Sequence, residues 1–299
     1  MAYVMEMSFD NSHRLVRKRH LFEYRGYQFS LIQDNPGKHP DHLLTILPTY
    51  DELHLNAAFS VAAEFASAVC WQNNARVAIW ESGGRSSSHV QPLARLQPSI
   101  FSLPRIPSRG NVVGYELTRL PLIETEAQRM ALARFREGRA SNNDYLSFLF
   151  FWQVLEVGGG NPIGFVDKAL RKYRREIHQA VEAIDKLPLQ GRSVGHYLYT
   201  NCRNVIAHFR PKSGAMLNLD ARHDRVHLVW STRAIEQFAK CYIRNVLGLK
   251  KYCYLVRKRR GAFPMYFPED QLSAHRYRIA YPSPSWGAIT GKLKRKIIK

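Results

Sequence analysis

Hydrophobic and polar positions alternate along the first third of the chain and then settle into a helical period. Residues 24–32 and 43–47 are short runs of β-forming side chains, and Asn35-Pro36-Gly37 between them is a turn signal. Leu55, Phe59, Ala62, Ala63, Ala66 and Val69 fall on one helical stripe. They predict a helix over residues 52–72, capped by Thr49 or Asp51. Residues 76–80 read as a further strand, followed by a flexible stretch at 82–88. Pro98, Pro104, Pro107 and Gly110 leave no room for a long helix over 97–110, which makes that segment a linker. Residues 112–117 suit one last strand. The charged patch His13–His20 reads as a surface loop or strand edge. The N-terminal region, residues 1–110, is therefore expected to be a small α+β module with no recognisable catalytic motif.

Beyond it the apolar spacing turns helical. Residues 124–137 form one such segment. The next, 144–156, is apolar nearly all round, with Asn142 or Asn143 as its cap, and is expected to be buried on most sides or to lie in a dimer interface. Gly158-Gly159-Gly160-Asn161-Pro162 breaks the pattern; without the Lys and Ser/Thr of a phosphate-binding loop it is a turn. A long helix is expected over 165–186, with Phe165, Ala169, Tyr173, Ile177, Val181 and Ile184 inward. The next helix, 193–209, has its stripe at Val194, Tyr197, Leu198, Cys202, Val205, Ile206 and Phe209, with Pro211 and Gly214 to stop it. Residues 215–231 alternate and suggest an inserted β-hairpin, and a last helix covers 232–247. The fold class expected is thus α+β: the small N-terminal module, then a mostly helical four-helix bundle with a hairpin over 111–250, then an extension at 251–299.

Charge changes this picture more than composition does. There are 44 Lys and Arg against 24 Asp and Glu, a net +20 in 299 residues. Such a field favours polyanions, chiefly nucleic acid. Hydrophobic residues at 45% suffice for packed cores. The four cysteines, Cys70, Cys202, Cys241 and Cys253, show no paired or zinc-type spacing. His39, His42 and His54 lack tight ligand spacing, so no metal or other cofactor is expected. The N-terminus lacks the pattern of a signal peptide, and the apolar run at 145–157 is too short to span a bilayer. A cytoplasmic protein without a membrane partner is the expectation.

Candidate chemistry sits on the 193–209 helix, as Arg203-Asn204-Val205-Ile206-Ala207-His208. An arginine, a polar residue and a histidine share its last two turns. This pattern resembles the signature of HEPN domains, an Arg followed four to six residues later by a His, often with Asn, Asp or His after the Arg. The same loose spacing occurs at Arg14–His20, Arg171–His178 and Arg222–His227. Context sets these apart: a charge run without an apolar face, a helix interior, and the expected hairpin. The resemblance covers residues 123–249. It implies an all-helical, commonly dimeric domain and, in many members, a metal-independent endoribonuclease. Arg203, Asn204 and His208 would then be catalytic in a composite site across a homodimer's two-fold axis, in the setting of a toxin or phage-defence effector.

The residue types suit that chemistry. RNA carries its own nucleophile, the 2′-OH, so cleavage needs proton transfer and charge neutralisation. His208 can move protons near neutral pH. Arg203 can hold phosphate oxygens, and Asn204 can donate to phosphate or orient the histidine. Residues five apart on an ideal helix point about 140° apart, so one motif encloses a phosphate poorly from both sides. Glu156 is a candidate partner for Arg203. Lys168, Arg171, Lys172 and Arg175 on the preceding helix, and Arg257, Lys258, Arg259 and Arg260 in the basic, aromatic tail, are candidate RNA contacts. Two other readings stand beside this one. One is a HEPN-like module that binds RNA or a partner without cutting. The other is a DNA-binding or accessory protein, for which there is an overall similarity to accessory proteins of methylamine utilisation.

Overall fold

The computed structural model describes residues 2–15, 18–34, 40–87, 93, 95–98, 114–115, 117, 119–207, 221–256 and 265–268. The fold is α+β, with an antiparallel sheet in the N-terminal part and helices in the C-terminal half. It divides into one unit of Met1–Pro121 with Lys251–Lys299 and a second of Leu122–Lys250.

The first unit is built on β1 (Ala2–Asn11), β3 (Arg19–Tyr24), β4 (Tyr27–Ile32), β5 (Asp41–Leu47) and β6 (Val77–Ser87), paired antiparallel in the order β3-β4-β5-β1-β6. β2 (Arg14–Leu15) pairs in parallel with β7 (Gly114–Tyr115). Helix α1 (Glu52–Asn73) starts where Asp51 accepts a hydrogen bond from the His54 backbone N–H. Its Phe65 ring lies 4.5 Å from Phe22, 5.7 Å from Tyr24 and 5.9 Å from Phe9, which seats the helix on one face of the sheet. By length and composition α1 could pass for a membrane span. Burial of Ala58, Ala62, Phe65, Ala66 and Val69 accounts for that apolarity as a core helix. On the other face Val4, Ile32, Leu44, Leu93 and Leu96 form a second apolar cluster.

Two sequence expectations change here. Residues 2–11 form the strand between β5 and β6 rather than an unassigned start, with Met5, Met7 and Phe9 fully buried. Residues 82–87 are strand rather than a flexible stretch. The strand that starts at Val77 runs on through them, because Gly83 and Gly84 let its backbone press against β1. A smaller sheet, order β10-β9-β8, joins Arg119–Pro121 (β8), Tyr252–Val256 (β9) and Met265–Pro268 (β10). The linker segment 97–110 lies almost wholly outside the described residues, as does the turn at Asn35-Pro36-Gly37.

The second unit opens with α2 (Glu126–Ala140), whose Thr125 and Gln128 form a reciprocal capping box. Next is α3 (Asp144–Glu156), capped by Asn143. It buries Phe148, Phe151, Trp152, Val154 and Leu155. Gly158 and Gly159 take positive φ, and Asn161 caps α4 (Pro162–Lys172). The long helix expected over 165–186 is broken: α4 stops at Lys172, turns occupy 173–177, and α5 spans His178–Ile184. Arg171, Lys172, Arg174 and Arg175 crowd like charges at helical neighbour spacing, which weakens the helix at that point. His178 therefore stands at a helix start, not in a helix interior.

The expected hairpin at 215–231 is also overturned in its described part. Residues 222–231 are the first turns of α8 (Arg222–Asn245), which begins ten residues earlier than the 232–247 helix read from sequence. Leu228, Ser231, Thr232, Ile235, Phe238, Ala239 and Tyr242 are buried on one stripe, so packing overrides the β-forming preference of Val226, Val229 and Trp230. Among the described residues the unit accordingly has more than four helices, with the expected 165–186 and 193–209 helices divided and the last one lengthened. Arg222 and His227 lie on helix, and the hairpin ground for setting that pair aside falls.

Candidate functional site

The helix expected over 193–209 is segmented. Ser193 caps α6 (Val194–Tyr197), a π-helical turn follows at Leu198–Arg203, and α7 (Asn204–Ala207) resumes α geometry. The Asn204 N–H bonds back to the Tyr199 carbonyl, the wider closure of a π turn. Such turns shift the side chains after them relative to those before, and they often occur at functional sites. The start of the segment is held tightly. Asp167 accepts from the Gly195 N–H at 3.0 Å. A Cβ at Gly195 would run into the Ile163 carbonyl oxygen, so only glycine lets α6 lie this close to α4.

Of the expected stripe, Val194, Tyr197, Leu198 and Cys202 are buried, while Val205 and Ile206 are half-buried. Burial pushes the Cys202 thiol up to about 12 and raises the Tyr197 phenol above its ordinary range. Both are neutral packing groups at physiological pH.

Arg203, at the end of the π turn, is held from several sides. Its Nη2 lies 3.6 Å from Oε1 of Glu156 at the end of α3. The same carboxylate oxygen accepts a hydrogen bond from the Trp152 indole at 2.9 Å. The guanidinium carbon is 5.9 Å from the centre of the Tyr199 ring, which in turn lies 6.0 Å from the Trp152 ring. Nη1 donates to the Asn204 side-chain oxygen at 3.3 Å. The Arg203 side chain is 28% exposed and that of Glu156 39%. The guanidinium is thus contacted by Glu156, Asn204 and Tyr199 while part of the side chain faces solvent. That arrangement suits a cation held ready for a phosphate.

Sequence reasoning found Arg203, Asn204 and the Glu156 partner, and missed Tyr199 and Trp152. Trp152 falls within the apolar 144–156 helix, and Tyr199 lies off the stripe read for 193–209. Tyr199 stands four residues before Arg203, the spacing of helical neighbours, so this contact is open to the sequence; the π closure of the turn is not. His208 lies outside the described residues, as do Arg257, Lys258, Arg259 and Arg260. Lys168, Arg171, Lys172 and Arg175 are all exposed, with Lys168, Arg171 and Lys172 on α4 and Arg175 in the turn after it. The Lys172 ammonium lies 5.2 Å from the centre of the Tyr173 ring.

His42 lies 3.3 Å from Asp34, and His54 contacts Asp51 at the start of α1. Among the described residues, no three His, Cys, Asp or Glu side chains come together as metal ligands.

Comparison with known proteins bears on this unit. The family model described as "Methylamine utilization protein MauJ" matches residues 131–244, well under half of the chain. That span runs from within α2 to the last turn of α8 and includes Glu156, Arg203 and Asn204. No curated protein and no solved structure matches the chain significantly.

Proposed function

We propose that the Leu122–Lys250 unit is a HEPN-type, metal-independent endoribonuclease acting in the cytoplasm. The observation that carries this reading is the setting of Arg203: a partly exposed guanidinium on a π turn, steadied by Glu156 and Tyr199, directly followed by Asn204. The exposed cations Lys168, Arg171, Lys172 and Arg175 and the net charge of +20 support a polyanionic substrate. In this reading the 2′-oxygen of RNA attacks the adjacent phosphorus and the 5′-oxygen leaves, giving a 2′,3′-cyclic phosphate. Arg203 neutralises the developing charge, Asn204 binds a phosphate oxygen, and His208 moves the proton. Two copies of the chain would face their motifs across a two-fold axis, and a toxin or phage-defence effector is the corresponding role.

The test is purified protein incubated with total RNA in EDTA beside His208→Ala and Arg203→Ala. Cleavage to cyclic phosphate ends by wild type, lost in both variants, is the expected result. Equal cleavage by all three removes the assignment.

A second reading is favoured by the MauJ match: an accessory protein whose helical unit binds a partner or RNA without cutting. RNA binding without cleavage by wild type supports it.

A further inference from the structure

The outer face of α8 carries groups that the Arg203 site does not use. The helix buries Leu228, Ser231, Ile235 and Phe238 on one side. On the opposite side Arg222, Val226, Trp230 and Arg233 succeed one another at helical spacing. Arg222, Arg225 and Arg233 are exposed, Val226 is 38% exposed and Trp230 is half-buried. The Arg233 guanidinium carbon lies 4.6 Å from the centre of the indole ring. That contact orders both side chains before a ligand arrives, which lowers the entropy lost on binding. At Gln237 the stripe meets α5, where the Gln237 amide donates to Gln179 at 2.9 Å. The open length from Arg222 to Arg233 is about 16 Å.

The charges on these turns are one-sided. Among the described residues, no carboxylate pairs with Arg222, Arg225 or Arg233. Asp224 is the only acidic residue from Arg222 to Arg233. Its side chain is 19% exposed, and its Oδ1 lies 3.0 Å from Nε2 of His223. Glu236, on the next turn, is taken by Arg139 and Lys240, each at 2.8 Å. Uncompensated guanidiniums in a row fit a polyanion. An indole among them fits a polyanion that also offers flat rings, which an acidic peptide chain and a lipid headgroup layer lack. In a duplex the faces of the bases are covered by their neighbours, so the fit is to an unpaired strand.

We propose that the Arg222–Arg233 stripe of α8 binds single-stranded RNA, with a base stacked on Trp230 and phosphates held by Arg222 and Arg233. The choice of RNA rests on the ribonuclease reading above, and the chemistry stays with Arg203, Asn204 and His208. The stripe holds the strand that this site would cut. Ser231, next to Trp230, lies beside the Cys202 thiol, next to Arg203. Packed helices stand about 8–10 Å apart, so a strand on the stripe is within a few nucleotides of the Arg203 site.

The experiment uses the full-length protein and a short, fluorescein-labelled 2′-O-methyl oligouridylate. This probe lacks the attacking hydroxyl and so reports binding alone. The same strand annealed to oligoadenylate is the duplex control. Anisotropy is followed over a range of salt for wild type, Trp230→Leu, Trp230→Phe, Arg222→Gln and Arg233→Gln, each checked for a native melting curve. The expected result is tighter binding of the single strand than of the duplex, with affinity lost about 10-fold in Trp230→Leu at an unchanged salt slope. Trp230→Phe should keep most of the affinity, and each arginine variant should flatten the slope by about 0.7. Wild-type affinity in Trp230→Leu overturns the stripe, as does equal binding of strand and duplex. Displacement by polyglutamate as readily as by unlabelled strand overturns it in favour of a protein partner, and tighter binding of oligothymidylate overturns the assignment to RNA. Total RNA in EDTA separates the two readings. Cleavage with the same KM by wild type and Trp230→Leu overturns the stripe and leaves the ribonuclease standing. Binding that depends on Trp230, without cleavage, supports the stripe and overturns the ribonuclease.

Discussion

Replacing Glu156 separates two roles that one carboxylate plays, and their sizes differ. Its ion pair with Arg203 spans 3.6 Å between side chains that are 39% and 28% exposed. A solvated pair at that distance contributes about 0–1 kcal/mol. The same oxygen is the acceptor for the indole N–H of Trp152, a fully buried side chain, at 2.9 Å. Leaving a buried donor unpaired costs about 1–3 kcal/mol. Glu156→Gln removes the charge and keeps an acceptor for Trp152, so it should cost less than about 1 kcal/mol. Glu156→Ala removes both and should cost about 2–3 kcal/mol. Urea unfolding followed by circular dichroism measures the difference, provided the slope with denaturant is unchanged. Equal destabilisation by the two variants would refute the reasoning, since the ion pair and not the indole bond would then carry the stability. If Arg203 holds phosphate, Glu156→Gln should also lower the RNA cleavage rate more than it lowers stability, because the guanidinium loses its tether.

Gly195→Ala should destabilise the second unit by about 1–3 kcal/mol, because the new methyl meets the Ile163 carbonyl and forces α6 off α4; thermal unfolding reads this directly. The Cys202 thiol is raised from 9.0 to about 12 by burial, so its contribution to stability is full below about pH 9 and is lost as pH rises toward 12. Melting temperature should therefore fall more steeply between pH 9 and 11 in wild type than in Cys202→Ala, and equal slopes would remove that assignment. Changing Lys168, Arg171, Lys172 and Arg175 together to Ala should weaken RNA binding at low salt. It should also flatten the salt dependence by a slope of about 0.7 for each lost phosphate contact, and an unchanged slope would place the RNA elsewhere.

Local signals were enough for much of the fold. The stripe of α1 with its Asp51 cap, and α3 with Asn143 before it and glycines after it, are written in neighbouring residues, because helix ends are satisfied by side chains a few positions away. Arg203 and Asn204 are residue types whose chemistry is visible without coordinates, and Glu156 is legible as a candidate partner for Arg203, though the contact itself joins segments far apart in the chain. Tertiary packing decided the rest. Residues 226–230 look like a strand, yet Leu228 continues the buried stripe of Ile235 and Phe238, so the helix wins. The helix after Pro162 has the right apolar spacing to continue past Lys172, but the run of cations and the packing of Ile177 and Ala180 split it. β1 holds buried Glu6 beside Arg85 of a strand far along the chain, a pairing that hydrophobic patterning does not reveal. The wide turn at Leu198–Arg203, closed by the Asn204 N–H on the Tyr199 carbonyl, interrupts what reads from apolar spacing as one continuous helix. Sequence thus determined the kinds of groups available and most of the helices; the tertiary structure decided which groups meet, because contacts between distant segments are settled by burial that no local pattern encodes.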